Sequence, residues 1–264
     1  ATITINAAYN IGTIDMSART SNTMTLATGT NTPTIYGNWI NGTGTTLTGT
    51  GSLTFSGRGS QTITSAGVTF TQQLIVYSLG GSVTLQDALT TSRTLASALY
   101  IAGGTFNANG YNVTLTGAAS GVNSAVTDSR TIAIGSGTWT IAGTGGWNAA
   151  TSTNLTVTGT GTISLTSASS KTFAGGGIQT YPTINQGGTG ILVITGSNKF
   201  ANIANTAIGR IQFAGGSTNI FDAFNLNGAA GNLLLLESNN TTQATLQKSS
   251  TWYMGANSTN GGNN

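Results

Sequence analysis

Single aliphatic or aromatic residues alternate with Thr or Ser along almost the whole chain, in segments of four to six residues closed by Gly, Ser or Asn. In Thr46–Ser56, Leu47, Leu53 and Phe55 share one parity, and Thr or Ser takes the other. The pattern returns at Thr62–Thr64, Val68–Thr71, Val83–Leu85, Val113–Thr116, Thr131–Ile134, Thr138–Ile141, Asn154–Thr158 and Thr162–Thr166. Period two sends successive side chains to opposite faces of a strand, so each segment reads as a short, half-buried strand with Thr on the wet side. Strands this short and numerous suit a meander, a sandwich or a coil of parallel rungs. The Asn-Gly pairs that mark tight hairpins are few: Asn41-Gly42, Asn109-Gly110, Asn227-Gly228 and Asn260-Gly261.

Internal similarity chooses among the three. An apolar-Ala-Gly-Gly tetrapeptide stands at Ile101–Gly104, Phe173–Gly176 and Phe213–Gly216. Its spacings of 72 and 40 residues fit a few turns of roughly 20–24 residues each, a solenoid repeat. The expected fold is all-β: a right-handed parallel β-helix (β-solenoid), elongated, in a single domain over residues 1–264. Residues 1–50 form an N-terminal cap or the first rungs, and 255–264 a tail or terminal loop. A dozen rungs at about 4.8 Å would make a rod on the order of 60 Å.

Composition supports this. The apolar fraction of 38% is thin for a spherical core, against a usual ~45–50%. Only thirteen residues are charged, eight Lys or Arg and five Asp or Glu, and there is no His and no Cys. That removes most side chains used for proton transfer, nucleophilic attack and metal binding. The net charge of +3 is spread over distant positions, so no basic cluster offers itself to nucleic acid. Without Cys there is no disulfide framework, and no apolar run approaches the ~20 residues of a membrane span. The start, Ala-Thr-Ile-Thr-Ile-Asn, lacks an initiator Met and a leader pattern, so the chain reads as a mature or excised piece.

Two stretches depart from the alternation. Leu85, Leu89, Leu95 and Leu99 fall near helical spacing, but the intervening Thr-Thr-Ser run is a poor helix former, which favours irregular strands. Leu233, Leu234, Leu235 and Leu236 do not alternate at all. Both faces would be apolar there, which calls for a covering segment or a neighbouring chain and makes this a self-association strand.

No catalytic, cofactor-binding or metal-binding residues are expected. Asp15, Asp87, Asp128, Asp222 and Glu237 are dispersed, whereas β-helix polysaccharide lyases and hydrolases need clustered carboxylates. Folding would have to bring two of them together. Asp128 beside Arg130 reads as a local ion pair. Ala174-Gly-Gly-Gly177 lacks the Gly-Lys-Ser/Thr ending of a phosphate loop. Thr-x-Thr triplets resemble the ice face of some β-solenoids, but their sequence intervals run from 7 to about 40 residues, not a constant repeat. Trp139 has inward parity. Trp147, in Gly-Thr-Gly-Gly-Trp-Asn, and Trp252 with Tyr253 are the candidates for glycan stacking or an interface.

Four strings together carry a resemblance: Gly51-Ser-Leu-Thr-Phe-Ser-Gly-Arg-Gly-Ser-Gln-Thr-Ile-Thr64, Lys171-Thr-Phe-Ala-Gly-Gly-Gly177, Ile194-Thr-Gly-Ser-Asn-Lys-Phe200 and Trp252-Tyr-Met-Gly-Ala-Asn-Ser-Thr-Asn-Gly-Gly-Asn263. They resemble a family of Gly/Thr-rich repeat proteins of environmental bacteriophages and bacteria, over roughly residues 50–264. The resemblance implies an extracellular or virion-borne β-helix of the kind used in fibres and adhesins, with no active site to carry over. Relatives have extra strands between the Thr245–Lys248 segment and the Trp-Tyr motif. Here three residues separate Lys248 from Trp252, so either these rungs are shortened or a segment is missing.

The leading functional expectation is a non-enzymatic, extracellular structural and interaction protein, a fibre shaft or adhesin that self-associates as a homo-oligomer or filament and meets a cell-surface glycan. The alternatives are a polysaccharide-binding or polysaccharide-degrading β-helix, and an ice-binding solenoid. No cofactor, nucleic acid or membrane insertion is expected.

Overall fold

The computed structural model describes residues 1–21, 23–95, 97–177 and 180–249, and these contain strands and turns but no helix. All pairings between named strands are parallel, as a solenoid requires. Eleven strands, from Asn10–Ile11 to Leu235–Ser238, stack on the first face. At the ~4.8 Å spacing of paired strands the stack is on the order of 50 Å long.

Three faces make up a turn. The second runs from Ile14–Asp15 through Ser60–Thr64 to Leu155–Thr158. On the third, Thr2–Thr4, Met24–Ala27 and Thr45–Thr48 form one ladder, and a second ladder of eight strands starts at Leu89–Thr91. Elsewhere two faces share one bent strand, as in Gln73–Leu85, Leu99–Asn107 and Thr180–Gln186. Turn length therefore varies, from 19 residues between Ile184 and Ile203 to 27 between Thr218 and Thr245. Corners absorb the difference while the strands keep register.

Register stacks like upon like. One inward column on the first face reads Leu53, Leu74, Leu99, Val122, Trp147, Phe173, Ile194 and Phe213. All of these are buried. Aromatic rings meet across the interior from Phe106 to Phe224. Trp139 and Trp147 have ring centroids 5.7 Å apart, Phe173 and Tyr181 4.9 Å, and Phe200 and Phe221 5.3 Å. The thin core is thus filled with large rings where aliphatic residues are scarce.

Two sequence expectations change, and the reading of Leu85–Leu99 as irregular strand holds. Trp147 is not exposed; its relative accessibility is 0%. The Gly-rich segment before it is a corner, where Gly146 takes φ +58 and delivers Trp147 inward and Asn148 outward. The apolar-Ala-Gly-Gly repeat gave the right architecture from motifs that are only partly equivalent. Phe173 and Phe213 share a column through Ile194, but continuing the ladder from Leu99 puts Ile101 two positions along from it. The Leu85–Leu99 stretch contains the strand Leu89–Thr91, with Leu89 buried and Leu95 exposed.

The corners depend on glycine where rungs approach closely. Gly104 has φ +76, and a Cβ there would lie 1.9 Å from the Ser78 oxygen. Trp147→Ala is expected to cost about 3–5 kcal/mol by cavity formation. Gly104→Ala is expected to cost about 1–3 kcal/mol through overpacking and strain. Denaturant unfolding monitored by circular dichroism measures both, and a loss below about 1 kcal/mol for Trp147→Ala would contradict the inward placement.

Candidate functional site

Two of the eight basic side chains are buried and committed to the main chain. Arg130 is 2% exposed, and its guanidinium donates to the carbonyls of Ser124, Asp128, Thr151 and Thr153 and to the Ser124 hydroxyl. The expected Asp128–Arg130 ion pair is replaced by a bond from Nη1 to the Asp128 main-chain oxygen at 2.9 Å. A planar fork of donors at a corner meets several converging carbonyls, which a carboxylate pairing would leave unsatisfied. Lys171 does the same with three donors. Its Nζ reaches the carbonyls of Ser167 at 2.9 Å, Gly188 at 3.2 Å and Gly190 at 2.7 Å. Burial pulls this ammonium down to about 8.

The five carboxylates lie on separate rungs or faces, and no register pair sets two of them on neighbouring rungs. Asp87 accepts the main-chain N–H groups of Ser65 and Ala66, each at 2.7 Å. Glu237 accepts from Gln212 and pairs with Arg210, and these contacts, the Gln212 bond foremost, hold its carboxyl below the usual range. Among the described residues no group of three or more acidic side chains converges as a metal site would.

The outward surface is more regular than the sequence intervals suggested. On the second face Ser60, Ser82, Thr105, Thr131 and Thr156 stand in one column. Two residues along, Thr62, Thr84, Asn107, Ala133 and Thr158 form the next. A third-face column runs Thr90, Thr114 and Thr140, and ends at Ser164, which is buried and accepts from Asn185. Neighbouring hydroxyls are thus about 4.8 Å apart along the rod and ~6.6 Å across it. The seven-residue interval between Thr62 and Thr69 joins two different faces and says nothing about register.

Sequence reasoning missed the exposed tyrosines. The register Ile35–Phe55–Val76 sets Tyr36 and Tyr77 on one edge, two rungs apart with Ser56 between. Tyr36 is 51% and Tyr77 41% exposed, and Leu79 beside them is 43% exposed. Strand parity alone would have found Tyr77, since Leu74, Val76 and Ser78 on either side point inward. Of the leucine run, Leu234 and Leu236 pack on the core while Leu233 and Leu235 are exposed, Leu233 to 82%. Trp252, Tyr253, the 255–264 tail and the end of the Lys248–Trp252 junction lie outside the described residues. The chain matches no family model, no curated protein and no solved structure.

Lys171 gives the interior a pH signature. Its folded value of about 8 lies below the ~10.4 of an unfolded lysine, so between the two the unfolded chain holds the proton that the folded chain has lost. Stability therefore rises with pH across that window. Tyr181 is pushed up by burial and acts in the opposite direction only near and above pH ~10, where unfolded tyrosine ionises. The denaturation midpoint is expected to rise between about pH 8 and 9.5, and Lys171→Met is expected to remove that rise.

Proposed function

We propose that this chain is a non-enzymatic structural and interaction protein working outside the cell, a β-solenoid shaft of a surface fibre, phage appendage or adhesin. The observation that carries the reading is the division between inside and outside. Both buried cations are bound to main-chain carbonyls, while the faces present hydroxyl columns with little charge. Such a body is stiff, needs neither disulfides nor ion pairs, and displays repeated surfaces. Tyr36 and Tyr77 on one edge support contact with a cell-surface glycan, since both rings are open to stacking. The separated carboxylates give the degradative alternative no pair to work with.

Self-association follows from Leu233 and Leu235, which are exposed beside a stack of parallel strands with few charges to discourage pairing. Sedimentation velocity at rising concentration is expected to show oligomers. The double variant Leu233→Asp, Leu235→Asp is expected to shift the distribution to monomer without changing the circular dichroism spectrum. Monomer alone at high concentration would overturn the assembly.

A second reading, ice binding, is favoured by the in-register Ser and Thr columns on the second face. Thermal hysteresis tests it. A freezing gap that Thr131→Tyr abolishes would support it, and no gap would retire it.

A further inference from the structure

The third face is interrupted once. Thr45–Thr48 closes the first ladder, and the next pairing on that face is the bridge between Phe70 and Thr91. In a parallel ladder alternate residues bond to opposite neighbours. Met24 N–H reaches Gly44 and Thr28 N–H reaches Thr48, so positions 44, 46 and 48 face the preceding rung and the Leu47 main chain faces the interruption. Across it, Phe70 bonds onward to Thr90 and Ser92, which turns the main chain of Thr69 and Thr71 back toward Leu47. No main-chain hydrogen bond joins Leu47 to Thr69 or Thr71 among the described residues.

The opening is built into the chain. Ala66 is a non-glycine residue at φ +51, in a turn closed by Val68 N–H to the Ser65 oxygen at 2.9 Å. Asp87, from the next rung, holds that turn by accepting the Ser65 and Ala66 N–H groups. A strained conformation kept in place by a neighbour is a recurrent mark of a site. Behind it, buried Gln72 donates to Thr48 and Thr28, and Arg93 spans the far end by donating to the Thr50 and Gly51 carbonyls.

The interruption forms an open cleft of about 370 Å³, within the ~300–1,000 Å³ usual for small-molecule sites. Thr45, Thr46, Thr69 and Thr71 supply hydroxyls, and Leu47 and Val68 supply apolar surface. No ionisable side chain lines it. The Thr71 hydroxyl is shielded from solvent and has no hydrogen-bond partner, an arrangement that costs stability unless something completes it. We propose that this gap is a binding site for a neutral saccharide unit. A sugar ring matches it in kind: hydroxyls meet the threonine side chains and the free main-chain groups, its C–H face meets Leu47 and Val68, and it brings no charge into a site that has none to offer. The proposal stands whether or not the chain builds a fibre.

The test is saturation-transfer NMR and titration with the methyl glycosides of glucose, galactose, mannose and N-acetylglucosamine, to about 10 mM, with sialic acid as the charged comparison. At least one neutral glycoside is expected to bind and sialic acid is not. Thr71→Val keeps the shape and removes the unpaired hydroxyl, so thermal stability is expected to hold or rise while affinity falls about tenfold. Tyr111→Ala, exposed and away from the gap, is expected to leave this binding unchanged. Silence from all four glycosides, binding of sialic acid alone, or affinity unaffected by Thr71→Val would overturn the proposal.

Discussion

The main-chain ladder between successive rungs is the constraint on which everything else depends. Most strands run two to five residues, too short to hold themselves, and their N–H and C=O groups are satisfied by the rungs above and below. Parallel pairing in register then forces a residue at one position to lie over its counterpart one turn away. Inward positions become columns of Leu, Ile, Val and aromatic rings, and outward positions become columns of Thr and Ser. Composition that looks poor for a globular core is sufficient for an interior two columns wide on each face.

Corners are where the ladder alone fails. The chain changes direction there, carbonyls converge, and glycine lets neighbouring main chains touch. The interior polar side chains answer this need: Arg130, Lys171, Gln61, Gln72 and Gln186 each donate to carbonyls from nearby rungs. Two of the eight basic residues are thereby withdrawn from the surface. The small net positive charge of the sequence therefore overstates what a partner meets.

Strand positions and architecture were legible because parity survives in the sequence wherever strands are regular. Trp139 illustrates this: its alternation with Thr138 and Thr140 placed it in the core, and it is fully buried. Trp147 was illegible for a physical reason. Glycine-rich flanks mark exposed loops in most folds, but in a solenoid they mark corners a few atoms from the interior. Register between rungs was also hidden, since turns of unequal length keep columns aligned in space while scattering them in sequence. The break beside Leu47 could not be read at all, because Val68–Thr71 alternates like any other strand, although it pairs through Phe70 with the next rung only.

Residue-resolved amide hydrogen exchange tests the ladder most directly. Strand amides on all three faces are expected to be protected in a pattern that repeats once per turn, with Leu47 and Thr69 exchanging fast inside otherwise protected rungs. Protection that fails to repeat from turn to turn, or slow exchange at Leu47 and Thr69 equal to that of Leu26 and Val113, would contradict a parallel stack whose third face opens beside Leu47.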